Sequence, residues 1–339
     1  MNRTVTMNSK RAIPKWLLRT GQLLLVALVT YGIVRALAPE LGKVSAADFE
    51  QYRPHIPVLL AALLMLLVVY LTHCLLWRVI TTRLGGIKPG PQSTLRIYFV
   101  SSLGRYIPGK LWQIAGLAML AQKAGISAVA ATAASIVAQL GFLSSGLVFL
   151  ALLLPGCPSS ASGDAAAVCR IMTGGHAPIV AAIVTMLVSS TSFFIITSTK
   201  LGHRFREWLT KRFGARFGDA LMLLDRVRWR DAAAWWIAYA LTWALLGAAF
   251  VVFVMSFVPL TNSAMLHVAG TVAAAYLFGY VAFFSFAGLG IREGVMLVLL
   301  GQVMPGPAAL VISVLSRLWF TTAEVLPLAL IPLTRDEAA

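Results

Sequence analysis

Six charged side chains fall inside stretches of this chain that are otherwise apolar: Arg105, Lys110, Arg292, Glu293, Arg317 and Glu324. A charge at the centre of a membrane-spanning helix costs about 3 kcal/mol on insertion scales, so each of the six needs a partner, water or a function. Four cations and two carboxylates in such a setting can do one of two things. They form ion pairs that clamp helices together, for instance Arg317 with Glu293. Alternatively, the cations receive an anionic group while the carboxylates balance them and reset by protonation. Arg317 and Glu324 are seven residues apart, two helical turns, and share one face with Phe320 and Thr321. Either reading turns that face inward. Arg105 and Lys110 have no acid nearby, since none occurs between Glu50 and Asp164, and they flank a break made by Gly104, Pro108 and Gly109. Helix ends exposed at a break offer unpaired N–H groups that favour anions, which favours the second reading for this pair. Lys110 has a further alternative, reaching headgroup level along its own aliphatic stem.

The remaining reactive residue types give little chemistry. His55, His73, His176, His203 and His267 are dispersed, without the spacing of a metal site, and no cofactor is expected. His73 and its neighbour Cys74 read as packed residues of an apolar helix. Trp112, Trp235, Trp236 and Trp243 read as interfacial anchors or packing. Gly288-Leu289-Gly290 only looks like a dinucleotide loop, because no strand precedes it. Nucleophile elbow, zinc-protease and phosphate-loop motifs are all missing, so no catalytic residue is expected.

These side chains must be positioned by elements suited to a bilayer. Of 339 residues, 59% are hydrophobic and 12% charged, against roughly 25% charged in soluble domains. Apolar runs of ~20 residues match spanning helices and not barrel strands. The fold class is therefore an all-α polytopic membrane protein with about 7–8 transmembrane helices. Spans are expected near 17–37, 56–80, 126–154, 177–198, 233–258 and 265–286, with a last one ending about 333. Residues 17–333 form one membrane domain, preceded by a basic N-terminus, 1–16, and followed by a short tail, 334–339. The first apolar run is too long for a signal-peptide core and reads as an uncleaved helix.

Net charge is +16, but its placement argues for topology and not for nucleic acid, which no soluble domain remains to read. Arg3, Lys10, Arg11, Lys15 and Arg19 precede the first span, and residues 199–231 carry nine cations against four acids. The positive-inside bias puts both segments, and hence the N-terminus, in the cytoplasm. The low-charge loop 155–176 then lies outside, where Cys157 and Cys169 are candidates for a disulfide.

Two stretches break the pattern of clean spans. Residues 92–122 hold Gly104, Arg105, Pro108, Gly109 and Lys110 amid apolar residues, and 287–294 hold Gly288, Gly290, Arg292, Glu293 and Gly294. Both read as re-entrant or broken helices hinged at these glycines and Pro108. Each is followed by a short apolar half-helix and then a full span, a device that points to an internal repeat and to a transporter's binding site.

The stretch Ser102-Leu103-Gly104-Arg105-Tyr106-Ile107-Pro108-Gly109-Lys110-Leu111-Trp112-Gln113 resembles the flippase-like family related to the transmembrane region of lysylphosphatidylglycerol synthases. The family's second signature is similar to Gly288-Leu289-Gly290-Ile291-Arg292-Glu293-Gly294, followed by a helix with an Arg near Arg317. The likeness covers roughly 15–333. It implies a bacterial inner-membrane unit that moves or presents lipids or lipid-linked glycans, beside envelope glycan or lipid-modifying enzymes. Many relatives carry an acid–Arg pair in the helix after the first motif, where this chain has Gln139. The synthases also carry a large cytoplasmic transfer domain, and the chain ends six residues after its last helix, so no synthase activity is expected. The expected function is a translocator in which Arg105, Lys110, Arg292 and Arg317 contact an anionic phospholipid or polyprenyl-phosphate-linked glycan, with Glu293 and Glu324 balancing them. Its energy source would be something other than a bound nucleotide, such as proton coupling. The alternatives are an accessory scaffold that docks an envelope glycosyltransferase through 199–231, and a transferase using Glu293 or Glu324 as base.

Overall fold

A computed structural model describes residues 50–85, 87–106, 111–153, 222–281 and 291–330, with 203, 204, 207, 208, 210 and 211 in the basic loop. Expected spans at 17–37 and 177–198 lie outside the described residues. So do the N-terminus 1–16, the tail 334–339, Cys157, Cys169, Pro108, Gly109, Lys110, Gly288 and Gly290. Eight α-helices are described: α1 (Ile56–Gly85), α2 (Pro91–Ser102), α3 (Leu111–Lys123), α4 (Ala128–Leu153), α5 (Trp229–Met255), α6 (Asn262–Val281), α7 (Ile291–Leu300) and α8 (Gly306–Leu330). No strand occurs among the described residues. Five of the helices, α1, α4, α5, α6 and α8, are long and apolar enough to cross a membrane.

Helix α1 runs five residues beyond the expected 80, because its basic end, Arg78 and Arg83, stays helical and is held from outside. Arg83 Nη2 lies 2.9 Å from Asp231 at the start of α5, and Arg226 donates to the carbonyl of Leu84 at 2.9 Å. At the other end, the His55 backbone N–H donates to the carbonyl of Ser256, 2.7 Å away and just past α5. The two longest helices are thus tied antiparallel at both ends. Leu60, Leu64, Val68, Leu71, Leu75 and Val79 stay exposed along α1. That spacing makes one apolar face, which in this setting meets lipid tails.

Helices α2 and α3 have 12 and 13 residues, about 18–20 Å at 1.5 Å per residue, too short to cross a ~30 Å hydrocarbon core. They pack on each other as a hairpin. Pro91 opens α2, where its missing N–H is harmless, and a 3₁₀ turn over Leu103–Tyr106 closes it. Gly104 sits in that turn because a Cβ there would come within 2.8 Å of the Gln113 backbone. Helix α3 ends in a Schellman turn at Gly125, φ +78°. The N–H of Ile126 reaches the carbonyl of Ala121 at 3.0 Å and that of Gly125 the carbonyl of Gln122 at 3.1 Å, with Ile126 itself buried.

Helix α4 packs on α1, α3, α5 and α6. Gly146 lets the Trp243 ring lie across it, where a Cβ would meet Cε2 at 2.6 Å. Trp243 donates to the Phe142 carbonyl at 2.8 Å and stacks on the Phe142 ring at 4.4 Å. It is packing, as are the buried Trp235 and the free, buried Cys74, while Trp112 is exposed. Helix α6 is described as far as Val281, and the remainder of the expected span to 286 lies outside the described residues. The ten-residue α7 packs between α6 and α8, and α8 reaches back to α1 and α2. The two interruptions are therefore alike on their far side, half-helix then full span (α3–α4 and α7–α8). They differ on their near side, where α2 has 12 residues and α6 has 20.

Candidate functional site

Both interrupted segments end at one cavity. It measures about 210 Å³ and is walled by residues of α1 to α6, the 3₁₀ turn and α7. A single water needs ~10–15 Å³, so the space holds several waters or a small polar group. Arg105 enters from the 3₁₀ turn and Arg292 from the first turn of α7, and no carboxylate is among the described lining residues. Their remoteness in sequence disappears because α8 packs on both α2 and α7.

Arg105 is held in place on two sides. Its Nε donates to the Ser102 carbonyl at 3.1 Å, which fixes it to the end of α2. Its Nη1 lies 2.6 Å from Oε1 of Glu324 on α8. The same carboxylate oxygen accepts from the Tyr70 hydroxyl of α1 at 2.9 Å. Glu324 is buried, so one oxygen joins three elements. One turn on, Pro327 sits inside α8, and its missing N–H leaves the Ala323 carbonyl without the usual helical donor.

Arg292 is held differently. Its guanidinium carbon lies 4.9 Å from the Tyr276 ring centroid and 4.5 Å from that of Phe320, a cation between two aromatic faces. Its Nη2 is buried and has no hydrogen-bond partner among the described residues. Gly279 makes room for it: a Cβ there would overlap Cγ of Arg292 and come within 2.9 Å of Cδ.

Arg317 and Glu293 stand together behind the wall, outside the cavity lining. Both are buried, with Arg317 Nη1 3.7 Å from Glu293 Oε1, so the pair bridges α8 to the N-terminal turn of α7. A carboxylate there also faces the positive end of the helix dipole. Of the expected six, Arg105 and Arg292 thus share the cavity, Glu324 is bound to Arg105, and Glu293 meets Arg317. Phe320, Thr321, Arg317 and Glu324 are all buried, so that face of α8 does point inward. Gly294 has nothing within 4 Å of an added Cβ, so steric need does not account for that glycine, which sits inside α7 and not at a hinge.

Sequence reasoning missed most of the wall. Five of the chain's eight tyrosines, Tyr70, Tyr98, Tyr239, Tyr276 and Tyr280, line the cavity, a concentration that marks a built surface. Gln113 and Gln139 line it too. His73, expected to be packed, does hydrogen-bond Thr242 at 3.0 Å and touches the Phe142 ring at 4.8 Å, yet it also faces the cavity. The available signal was polar, uncharged side chains inside apolar spans.

Long apolar helices, two interrupted segments and charges that meet at depth define a multi-pass α-helical membrane protein built around a buried polar cavity. The chain belongs to the family of the lysylphosphatidylglycerol synthase TM region, whose model matches residues 22–323. No curated protein and no solved structure matches it.

Proposed function

We propose that this chain is a lipid translocator of the bacterial inner membrane, with a cytoplasmic N-terminus. It receives an anionic headgroup at Arg105 and Arg292 and passes a phospholipid or lipid-linked glycan between leaflets without chemical change. The observation that carries this reading is the meeting of those two arginines, from two interrupted helices, in one cavity whose lining includes no carboxylate. A buried donor without a partner is costly, and among the described residues Arg292 Nη2 has none; an anionic oxygen would satisfy it. Glu324 supports the reading from the other side, since it compensates Arg105 at 2.6 Å and an incoming anion would compete for the same guanidinium. In this scheme Glu293 and Arg317 hold α7 on α8.

The test is mass-spectrometric identification of lipids retained by purified wild type, Arg105→Ala and Arg292→Ala. The expected result is one anionic or polyprenyl lipid enriched on the wild type and lost from both variants. Bulk lipid on all three proteins overturns the reading and leaves a scaffold that docks an envelope glycosyltransferase.

A further inference from the structure

Beyond its two cations, the cavity wall has an unusual hydrogen-bonding character. The side-chain amides of Gln113 and Gln139 and the phenols of Tyr98, Tyr239 and Tyr276 have no hydrogen-bond partner among the described residues. An amide carries donors and an acceptor, and a phenol is both, whereas a guanidinium only donates. Three ligand chemistries can be compared with this set. A bare phosphate or phosphodiester only accepts: it matches Arg292 but leaves the amide oxygens unanswered. An aminoacyl ammonium only donates and is positive, so it would face Arg105 and Arg292 with no lining carboxylate to receive it. Hydroxyl groups donate and accept, which is what amides and phenols require. The rings add a shape criterion, because an aromatic face is negative and meets the C–H edge of a saturated ring better than a second anion.

We propose that the cavity holds the headgroup of a glycosyl phosphate, its phosphate at Arg292 and its sugar hydroxyls on Gln113, Gln139 and the tyrosine wall. This rests on the translocator reading and narrows its cargo to a lipid-linked sugar phosphate. Volume agrees: about 210 Å³ is below the ~300 Å³ at which pockets for whole drug-sized ligands begin, so only the headgroup is enclosed and the lipid tail stays outside.

The experiment measures ligand-dependent shifts of unfolding temperature for the full chain in nanodiscs, converted to Kd. The probes are a polyprenyl-phosphate hexose, the same polyprenyl phosphate without sugar, phosphatidylglycerol, lysyl-phosphatidylglycerol and water-soluble hexose 1-phosphate. The expected result is that the hexose tightens binding of the polyprenyl phosphate by about tenfold or more. The double variant Gln113→Ala/Gln139→Ala should remove that ratio and keep the affinity for polyprenyl phosphate. Arg292→Ala should weaken both ligands and keep the ratio. A wild-type ratio near one, or a preference for lysyl-phosphatidylglycerol, overturns the sugar assignment while leaving an anion-binding translocator standing. This comparison needs no variant and so decides even if a substitution prevents folding. Failure of every anionic lipid to bind sinks both readings together. Equal affinity for free hexose 1-phosphate supports the headgroup assignment and overturns the lipid cargo.

Discussion

Arg292 owes its position to a residue that carries no side chain. Gly279 leaves the surface of α6 open, and the Arg292 stem crosses it to reach Tyr276 and Phe320. Gly279→Ala keeps every charge and every aromatic ring yet places a Cβ on the path of the stem at Cγ, so the stem must take another rotamer or the backbone beneath it must shift. A displaced rotamer costs on the order of 1 kcal/mol, small against the stability of the fold but enough to move the guanidinium off both rings. We therefore expect Gly279→Ala to lose retained anionic lipid about as fully as Arg292→Ala does, with the unfolding temperature nearly unchanged. Equal lipid content in wild type and Gly279→Ala, by the same mass spectrometry, would show that Arg292 is not the contact.

At the scale of elements, the joint made by Glu324 is the point of interest, because one oxygen gathers α8, α1 and the turn after α2. Removing one member of a buried pair leaves the other uncompensated and costs about 3 kcal/mol or more, whereas replacing both is far milder. Glu324→Gln and Arg105→Gln should each lower thermal stability in detergent clearly, and the double variant should recover much of the loss. Additive losses would mean that the two side chains act independently. The helices themselves were readable in the chain: apolar length gave α1, α4, α5, α6 and α8 to within about five residues at each described end, since burial in lipid demands only length and composition. The half-length α2, α3 and α7 were readable from glycine and proline set among charges. The walls of the cavity were not. Which face of a span meets its neighbours depends on close approaches such as Gly146 under Trp243, and Gln113 or Tyr239 look the same in sequence whether they face lipid, protein or a cavity. Charges could be singled out because a bilayer penalises them by kcal/mol; a phenol or an amide in a span is a signal too, but one that any partner on a neighbouring helix can satisfy, so it does not by itself mark a cavity.

For the whole molecule, the antiparallel tie between α1 and α5 forms the long fixed axis, anchored at Arg83–Asp231 and His55–Ser256. The shorter α2, α3 and α7 pack around it through α1, α4, α6 and α8, and the cavity charges lie on the 3₁₀ turn after α2 and on α7. Three cations and two carboxylates are described at membrane depth: Arg105 faces Glu324, Arg317 faces Glu293, and Arg292 has aromatic rings in place of an acid. That inventory sums to one positive charge, and a phosphodiester brings one negative. Counted over the described residues, the loaded site is then neutral and the unloaded one is not. A charge carried through the entire field is worth about 2.3 kcal/mol per 100 mV, and a partial movement proportionately less. In proteoliposomes under a clamped diffusion potential, net transport by a translocator of this kind should change with voltage when return of the unloaded protein limits the cycle, and lose that dependence in exchange mode, where only the loaded form moves. Arg292→Gln should flatten the first response as well. The aromatic cradle around Arg292, which on its face only fixes the place of a side chain, would in that case make the protein electrogenic on its return stroke and electrically silent when carrying its load.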